Sequence, residues 1–181
     1  MDVVFYLSAV LVIHEKRYWY LLPVVFLATM NRETSGLIPF LLLPSLIRNR
    51  WRRDLLLIFI STAAIYCAGF VLLRIIYAPR EVLDPYGISI GYEMLAYNLG
   101  RRVTWENLFG MLHILPIIAL VFYWKWSEEV KHNFWIMIPL WVVIHAFFSI
   151  MAETRLFLVP SLIVMVPGAL SWSIHAESGG K

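Results

Sequence analysis

The stretch Asn31-Arg32-Glu33-Thr34-Ser35 sets two adjacent full charges between two apolar runs, Trp19 to Met30 and Gly36 to Ile47. Each run has 12 residues, which makes about 18 Å of α-helix, whereas crossing a hydrocarbon core of about 30 Å takes roughly 20 residues. We therefore expect the chain to break, re-enter or thin the bilayer here. Because charge at or inside a membrane is costly, the stretch is a predicted functional site.

The composition predicts an all-α, polytopic integral membrane protein. Of the 181 residues, 61% are hydrophobic and only 15% are charged, and the mean hydropathy is +0.74. The basic residues that give the net charge of +3 lie mostly in short clusters beside apolar runs, where they orient helices in a membrane. No basic face typical of nucleic-acid binding is evident. The single cysteine, Cys67, excludes an intrachain disulfide.

Six or seven membrane segments are predicted, two of them short or re-entrant. The most certain is Leu55 to Leu73, 19 residues without a charge, with Arg74 near its end positioned to reach the head groups. Three further spans are predicted at Leu108 to Trp124, Phe134 to Ala152 and Leu156 to Ile174. The polar connection 79–107 is predicted to be extracytoplasmic, with a short interfacial helix at Gly91 to Leu99.

The first apolar run, Val3 to Ile13, is short for a membrane span, and Met1-Asp2 lacks the basic segment of a cleavable signal peptide. One interpretation is that this run is the remnant of a helix in a longer protein. Residues 1–181 are then a single transmembrane helical domain that forms an incomplete fragment.

The distribution of basic residues predicts the topology. If the two short runs form a hairpin or two thin crossings, nine lysines and arginines share one side, which is then cytoplasmic, and five share the other. The nine are Lys16, Arg17, Arg48, Arg50, Arg52, Arg53, Lys125, Lys131 and Lys181, and the five are Arg32, Arg80, Arg101, Arg102 and Arg155. If the two runs form one broken helix instead, the cluster from Arg48 to Arg53 changes sides relative to Lys16. The predicted location is the cell inner membrane, with several passes.

Arg32 and Arg155 are the predicted substrate-binding arginines. A guanidinium matches phosphate oxygens bidentately and stays charged at a membrane edge, so either residue suits the phosphate or diphosphate of a lipid carrier. The alternative is that each arginine pairs with its neighbouring glutamate or extends to the head groups.

Glu33 and Glu153 are the predicted catalytic residues, because a carboxylate can orient a substrate or accept a proton from it. Two carboxylates on separate connections are a weak indication of a metal site, so we predict no metal and no cofactor. Local ion pairing is the alternative for both.

Asp84 and Tyr92 are further candidates for substrate binding in the polar connection. Asp84 begins the turn sequence Asp84-Pro85-Tyr86-Gly87, which explains it without a ligand. Tyr92 is suited to stacking on a sugar ring, and membership of an interfacial aromatic belt is the alternative. His113 and His145 lie at similar predicted depths, which is compatible with haem or metal ligation, although hydrogen bonding between helices is the ordinary role of such residues.

Three features resemble the carboxy-terminal half of bacterial GT-C-type membrane glycosyltransferases. They are the cluster 31–35 between short apolar runs, the arginine-rich stop at 48–53, and the segment AETRLFLVP at 152–160 that enters a final helix. The resemblance covers roughly residues 1 to 175 and is to polyprenyl-phosphate-sugar-dependent mannosyl- or arabinosyltransferases. It implies an inverting transfer on the extracytoplasmic face with an acidic base in an early outer loop. That early motif has no counterpart here apart from Asp2.

The predicted function is therefore membrane-embedded transfer of a sugar from a polyprenyl-phosphate donor, with the chain as the scaffold half of such an enzyme. The predicted partners are the lipid bilayer and the lipid-linked sugar. The alternative is a non-catalytic transmembrane subunit of a larger membrane complex, and a transporter is a third hypothesis because broken helices are typical of transporters.

Overall fold

The computed structural model describes residues 2–77 and 87–171, apart from the side chains of residues 154 and 155. All regular secondary structure within these residues is helical, which confirms the predicted all-α class. The chain forms two compact units, residues 1–83 and 84–181.

The described residues of the first unit, 2–77, contain four α-helices and two 3₁₀ segments. They are α1 (Asp2–His14), α2 (Leu21–Asn31), α3 (Leu43–Arg48) and α4 (Arg53–Tyr77). A short 3₁₀ turn, Tyr18–Tyr20, leads into α2, and a long 3₁₀ helix, Glu33–Leu42, joins α2 to α3.

The break predicted at Arg32 is present, and it is followed by tighter winding. α2 ends because Arg32 takes an extended backbone, with φ −161° and ψ 149°. Gly36 is a poor α-helix former, and Pro39 has no N–H to donate to an α-helical hydrogen bond. Because a 3₁₀ helix rises about 2.0 Å per residue against 1.5 Å for an α-helix, the 33–48 segment has a contour of about 29 Å.

The long 3₁₀ helix forms the centre of the first unit. Its apolar residues, among them Ile38 and Leu42 with no exposed surface, are buried, and it packs against α1, α2 and α4. α2 and α4 pack closely at Gly69, where a Cβ atom would lie 3.0 Å from Cγ2 of Thr29. α4 has 25 residues and contains a stretch of 18 residues with a mean hydropathy of 2.4, so it is long and apolar enough to cross a membrane.

The two short runs form a hairpin. Lys16 and Arg17, before α2, line the same cavity as Arg48 and Arg52, after α3. The chain therefore passes from this end of the unit to Arg32 and returns, which decides against the single broken helix.

The described residues of the second unit, 87–171, contain five more α-helices. They are α5 (Tyr92–Gly100), α6 (Arg102–Leu112), α7 (Leu115–Val121), α8 (Glu128–Phe148) and α9 (Leu158–Ser171). α5 occupies the segment where the sequence predicts a short helix. α9 includes a π-helical turn, Ser161–Met165.

The structure corrects the number and shape of the predicted spans. Within the described residues, α4 and α8 are long and apolar enough to cross a membrane, and α6 with α7 makes a third only if the bent pair is counted as one span. These lengths do not support six or seven spans. The span predicted at Leu108 to Trp124 is not one continuous helix, because the chain bends by 61° between α6 and α7. The bend lies where His113 takes a positive φ of 46° and Pro116 begins the next helix.

Asn98 of α5 fixes the end of α8 in the second unit. Its side chain is completely buried, and its Nδ2 donates to the carbonyls of Ala146 at 3.0 Å and Ser149 at 2.8 Å. Its Oδ1 accepts the N–H of Met151 at 2.9 Å. One amide thus satisfies backbone groups that the helix end leaves unpaired, and it fixes the turn that precedes Glu153.

Candidate functional site

Charged side chains from four elements meet at the break after α2. We call them the Arg32 cluster: Asp2 of α1, Asn31 and Arg32 at the end of α2, Glu33 at the start of the long 3₁₀ helix, and Arg74 near the end of α4. Two of these residues, Arg32 and Glu33, are predicted site residues. Asp2 and Arg74 join them through contacts between residues about 30 to 40 positions apart, for which the sequence carries no local signal.

Arg32 binds Asp2. Its Nη1 lies 3.0 Å from Oδ2 of Asp2, while the Asn31 side chain donates to the other carboxylate oxygen. The side chains of Arg32 and Asp2 are only 34% and 16% exposed. Because the pair is partly withdrawn from water, it contributes more than an ordinary surface ion pair, and loss of either partner is costly.

Glu33 binds Arg74. Oε1 of Glu33 lies 2.6 Å from Nη2 of Arg74, and both side chains are more than half exposed. The alternative in which Arg32 pairs with its neighbour Glu33 is therefore wrong. Arg74 does extend from the end of α4, as predicted, but it reaches a carboxylate.

Side-chain hydroxyls satisfy the backbone carbonyls at the break. Tyr66 of α4 donates to the carbonyl of Glu33 at 2.7 Å, and Tyr6 of α1 donates to that of Thr34 at 2.5 Å. Gly36 makes the first contact possible, because a Cβ atom there would lie 2.5 Å from the Tyr66 ring. The carbonyls of Glu33 and Thr34 are thus paired within the protein and need no water.

The Arg32 cluster and the basic residues before α4 lie at opposite ends of the first unit. Arg74, in the cluster, and Asp54, beside those basic residues, are both on α4. Their separation of 20 positions along this helix corresponds to about 30 Å, the thickness of a hydrocarbon core. If α4 crosses the membrane, the cluster lies at one membrane edge.

The other predicted site residues belong to the second unit. Glu153 is exposed and follows the turn held by Asn98, and its N–H donates to the carbonyl of Ile150 at 3.0 Å. Tyr92 is 83% exposed at the start of α5, with its ring edge-on to Phe147. Asp84 and the side chain of Arg155 lie outside the described residues.

The two histidines have separate surroundings. His145 is completely buried, its Nδ1 lies 2.8 Å from the carbonyl of Trp141, and its ring stacks on that indole. His113 ends α6 at the bend. Within residues 2–77 and 87–171, no group of three or more histidine, cysteine or acidic side chains is arranged to hold a metal ion.

The Arg32 cluster combines two guanidinium donors with two carboxylate acceptors, and Arg32 is half-buried while Glu33 is exposed. Such a set can bind phosphate oxygens through the arginines and a hydroxyl through a carboxylate. A comparison of the chain with protein-family models, with curated proteins and with solved structures gave no match.

Proposed function

We propose that the chain is the scaffold half of a membrane-embedded glycosyltransferase and that the Arg32 cluster binds the phosphate of a polyprenyl-phosphate sugar. The observation that carries this proposal is that Arg32, at the end of α2, and Arg74 of α4 meet at one break in the chain. This break lies about 30 Å along α4 from the basic residues that precede α4. Two cations at a membrane edge suit a phosphate held at the head-group level by an embedded lipid tail.

The proposed chemistry assigns a role to each side of the cluster. A carboxylate, Glu33 in the first unit, accepts the proton of the acceptor hydroxyl as its oxygen bonds to the anomeric carbon. The bond from that carbon to the phosphate oxygen breaks, and the polyprenyl phosphate leaves with the electron pair. Arg32 and Arg74 stabilise the charge that develops on the phosphate, and Asp2 orients Arg32.

The proposal keeps the remaining predictions from the sequence. Glu153 is the second candidate carboxylate, and Arg155, Asp84 and Tyr92 are candidates for holding the lipid-linked sugar. The chain is proposed to be a multi-pass protein of the inner membrane, with the Arg32 cluster and the connection 79–107 on the extracytoplasmic side. The hairpin supports this topology in the first unit, because it brings Lys16 and Arg17 to the same end as Arg48 and Arg52.

The test replaces Arg32 with lysine in the chain purified in detergent. Lysine keeps the charge but loses the planar fork, so affinity for farnesyl phosphate should fall by about 1 to 3 kcal/mol while the melting temperature changes little. Arg102→Lys is the matched control, because Arg102 pairs with Glu106 on an exposed face of the second unit. It should leave both quantities unchanged.

The competing function is a non-catalytic transmembrane subunit, and the pairing within the cluster favours it. Arg32 with Asp2, and Glu33 with Arg74, can neutralise each other without a ligand. In that case Arg32→Lys leaves farnesyl phosphate binding unchanged, and Asp2→Asn lowers the melting temperature. This result, or no binding of farnesyl phosphate by the wild type, would remove the phosphate-binding role.

A further inference from the structure

A second polar site lies at the opposite end of the first unit from the Arg32 cluster. It is a cavity of about 570 Å³ between the connection before α2 and the connection before α4. We call it the basic cavity. The residues that line it are Lys16, Arg17, Tyr18, Trp19, Tyr20, Arg48, Asn49, Arg52, Asp54, Leu55 and Ile58.

The lining carries an excess of positive charge. It contains four basic side chains and one carboxylate. Arg52 is paired with that carboxylate, Asp54, at 2.7 Å, and Arg17 is paired with Glu15 at 3.4 Å. Neither Lys16 nor Arg48 makes an ion pair within the part of the chain that the structure describes. These two cations are therefore available to an anion.

The backbone around the basic cavity is strained. Lys16, Arg50 and Trp51 have positive φ angles of 57°, 49° and 58°. The left-handed conformation is unfavourable for a residue that has a side chain. Strain of this kind persists where the surrounding structure enforces it and concentrates at binding sites. Lys16, Arg50 and Trp51 lie in the two connections that form the walls of the basic cavity, so the strained backbone is next to the proposed site.

The cavity is amphipathic as well as basic. Leu55 and Ile58 of α4, which are buried, contribute apolar surface, while Trp19 and Tyr20 are exposed beside the cations. Tryptophan and tyrosine favour the membrane–water interface, where one part of the ring is apolar and the other is wet. An inorganic phosphate uses only the cations, whereas a phospholipid uses the cations, the aromatic rings and the apolar surface.

We propose that the basic cavity binds the head group of an anionic glycerophospholipid. The phosphate lies between Lys16 and Arg48, and the glycerol lies against Trp19 and Tyr20. The first part of an acyl chain follows Leu55 and Ile58 toward the membrane interior. This site is independent of sugar transfer and of the Arg32 cluster.

The test measures binding of dioctanoyl phosphatidylglycerol to the full chain in neutral detergent by native mass spectrometry. A second readout is the Trp19 fluorescence, taken as the difference between the wild type and the Trp19→Phe variant. Each basic residue near an anionic lipid contributes about 1 kcal/mol, so Lys16→Gln and Arg48→Gln should each weaken binding about five-fold. The matched control is Arg53→Gln, which removes a charge from the same cluster but does not line the cavity. It should change affinity less than about two-fold.

Three results would overturn the proposal. The first is that dioctanoyl phosphatidylcholine binds as tightly as the phosphatidylglycerol. The second is that Arg53→Gln weakens binding as much as Lys16→Gln and Arg48→Gln do, which would indicate only an attraction to the general surface charge. The third is competition by inorganic phosphate as strong as that by the lipid, which would indicate a site for free phosphate. Farnesyl phosphate binding should be unchanged in Lys16→Gln, which separates this site from the Arg32 cluster.

Discussion

Oδ1 of Asn98 accepts the backbone N–H of Met151 at 2.9 Å, so one side chain of α5 holds the chain just beyond the end of α8. The same side chain donates to carbonyls at the end of α8, and none of its surface is exposed. No water molecule can replace these bonds without entering the packed interior. Asn98 is therefore a structural requirement for the position of Glu153.

Asn98→Ala should lower the free energy of unfolding by about 2 to 4 kcal/mol, because it leaves several buried backbone groups without partners. The measurement is unfolding of the purified chain in mixed micelles. Asn107→Ala is the matched control: Asn107 donates to the carbonyl of Ala152 at 3.3 Å on an exposed surface, and its loss should cost less than about 0.5 kcal/mol. Similar losses in the two variants would contradict the role assigned to Asn98.

Gly36→Ala should destabilise the first unit by about 1 to 3 kcal/mol, because the added methyl group would overlap the Tyr66 ring. Gly110→Ala is the control, since a Cβ atom at this position in α6 meets nothing within 4 Å. It should be neutral or stabilising by up to about 1 kcal/mol. The loss in free energy of unfolding in the double variant Gly36→Ala, Tyr66→Ala should be smaller than the sum of the losses in the two single variants. Strictly additive losses would show that the new methyl group does not overlap the Tyr66 ring.

Within the Arg32 cluster, Asp2→Asn should destabilise the chain more than Glu33→Gln. The Asp2 carboxylate is 16% exposed and binds both Arg32 and Asn31, whereas Glu33 is 67% exposed and binds Arg74 alone among these residues. We expect about 1 to 3 kcal/mol for Asp2→Asn and less than about 1 kcal/mol for Glu33→Gln. Thermal unfolding in detergent measures both, and the reverse order would contradict the structural role of Asp2.

The pKa of Glu93 should lie below the 4.5 that is usual for glutamate, because the Ser89 side chain, and then its backbone N–H at 3.1 Å, donate to the carboxylate. The folded state therefore favours the charged form. The resulting stabilisation is present above pH 4.5 and is lost as the pH falls through the lowered pKa. A ¹³C titration of the carboxyl group measures the midpoint. Ser89→Ala should raise it, and an unchanged midpoint would exclude the contact with the Ser89 side chain.

The sequence predicts those parts of the fold that depend on local pattern. Leu55 to Leu73 has no charge to interrupt it, and the structure extends this run to α4, Arg53–Tyr77. The break at Arg32 also follows from local chemistry, since two adjacent charges cannot lie inside an apolar helix without cost. Hydropathy is insensitive to winding and bending, however. It therefore predicts neither the 3₁₀ geometry after Arg32 nor the sharp bend after α6.

The composition of the candidate site depends on contacts that no local pattern records. Asp2 and Arg32 are 30 positions apart, and Glu33 and Arg74 are 41 apart. The sequence therefore identifies Arg32 and Glu33 as unusual, but the only partner that it offers each of them, in the alternative reading, is the other. A sharper signal was present in the match of charges, because Asp2 and Arg74 each lie at or near the end of an apolar run, where a charge favours an opposite charge beside it.

The winding of Glu33–Leu42 sets the distance and the rotation between the two ends of the first unit. If these ten residues rewound as an α-helix, the segment would shorten by about 5 Å. Each residue turns the chain by about 120° in a 3₁₀ helix and by about 100° in an α-helix, so the chain after Leu42 would also rotate by roughly 200°. Arg48 would then leave the basic cavity if Arg32 kept its place. Arg32 can therefore stay beside Asp2 while Arg48 lines the basic cavity only if Glu33–Leu42 keeps the tighter winding.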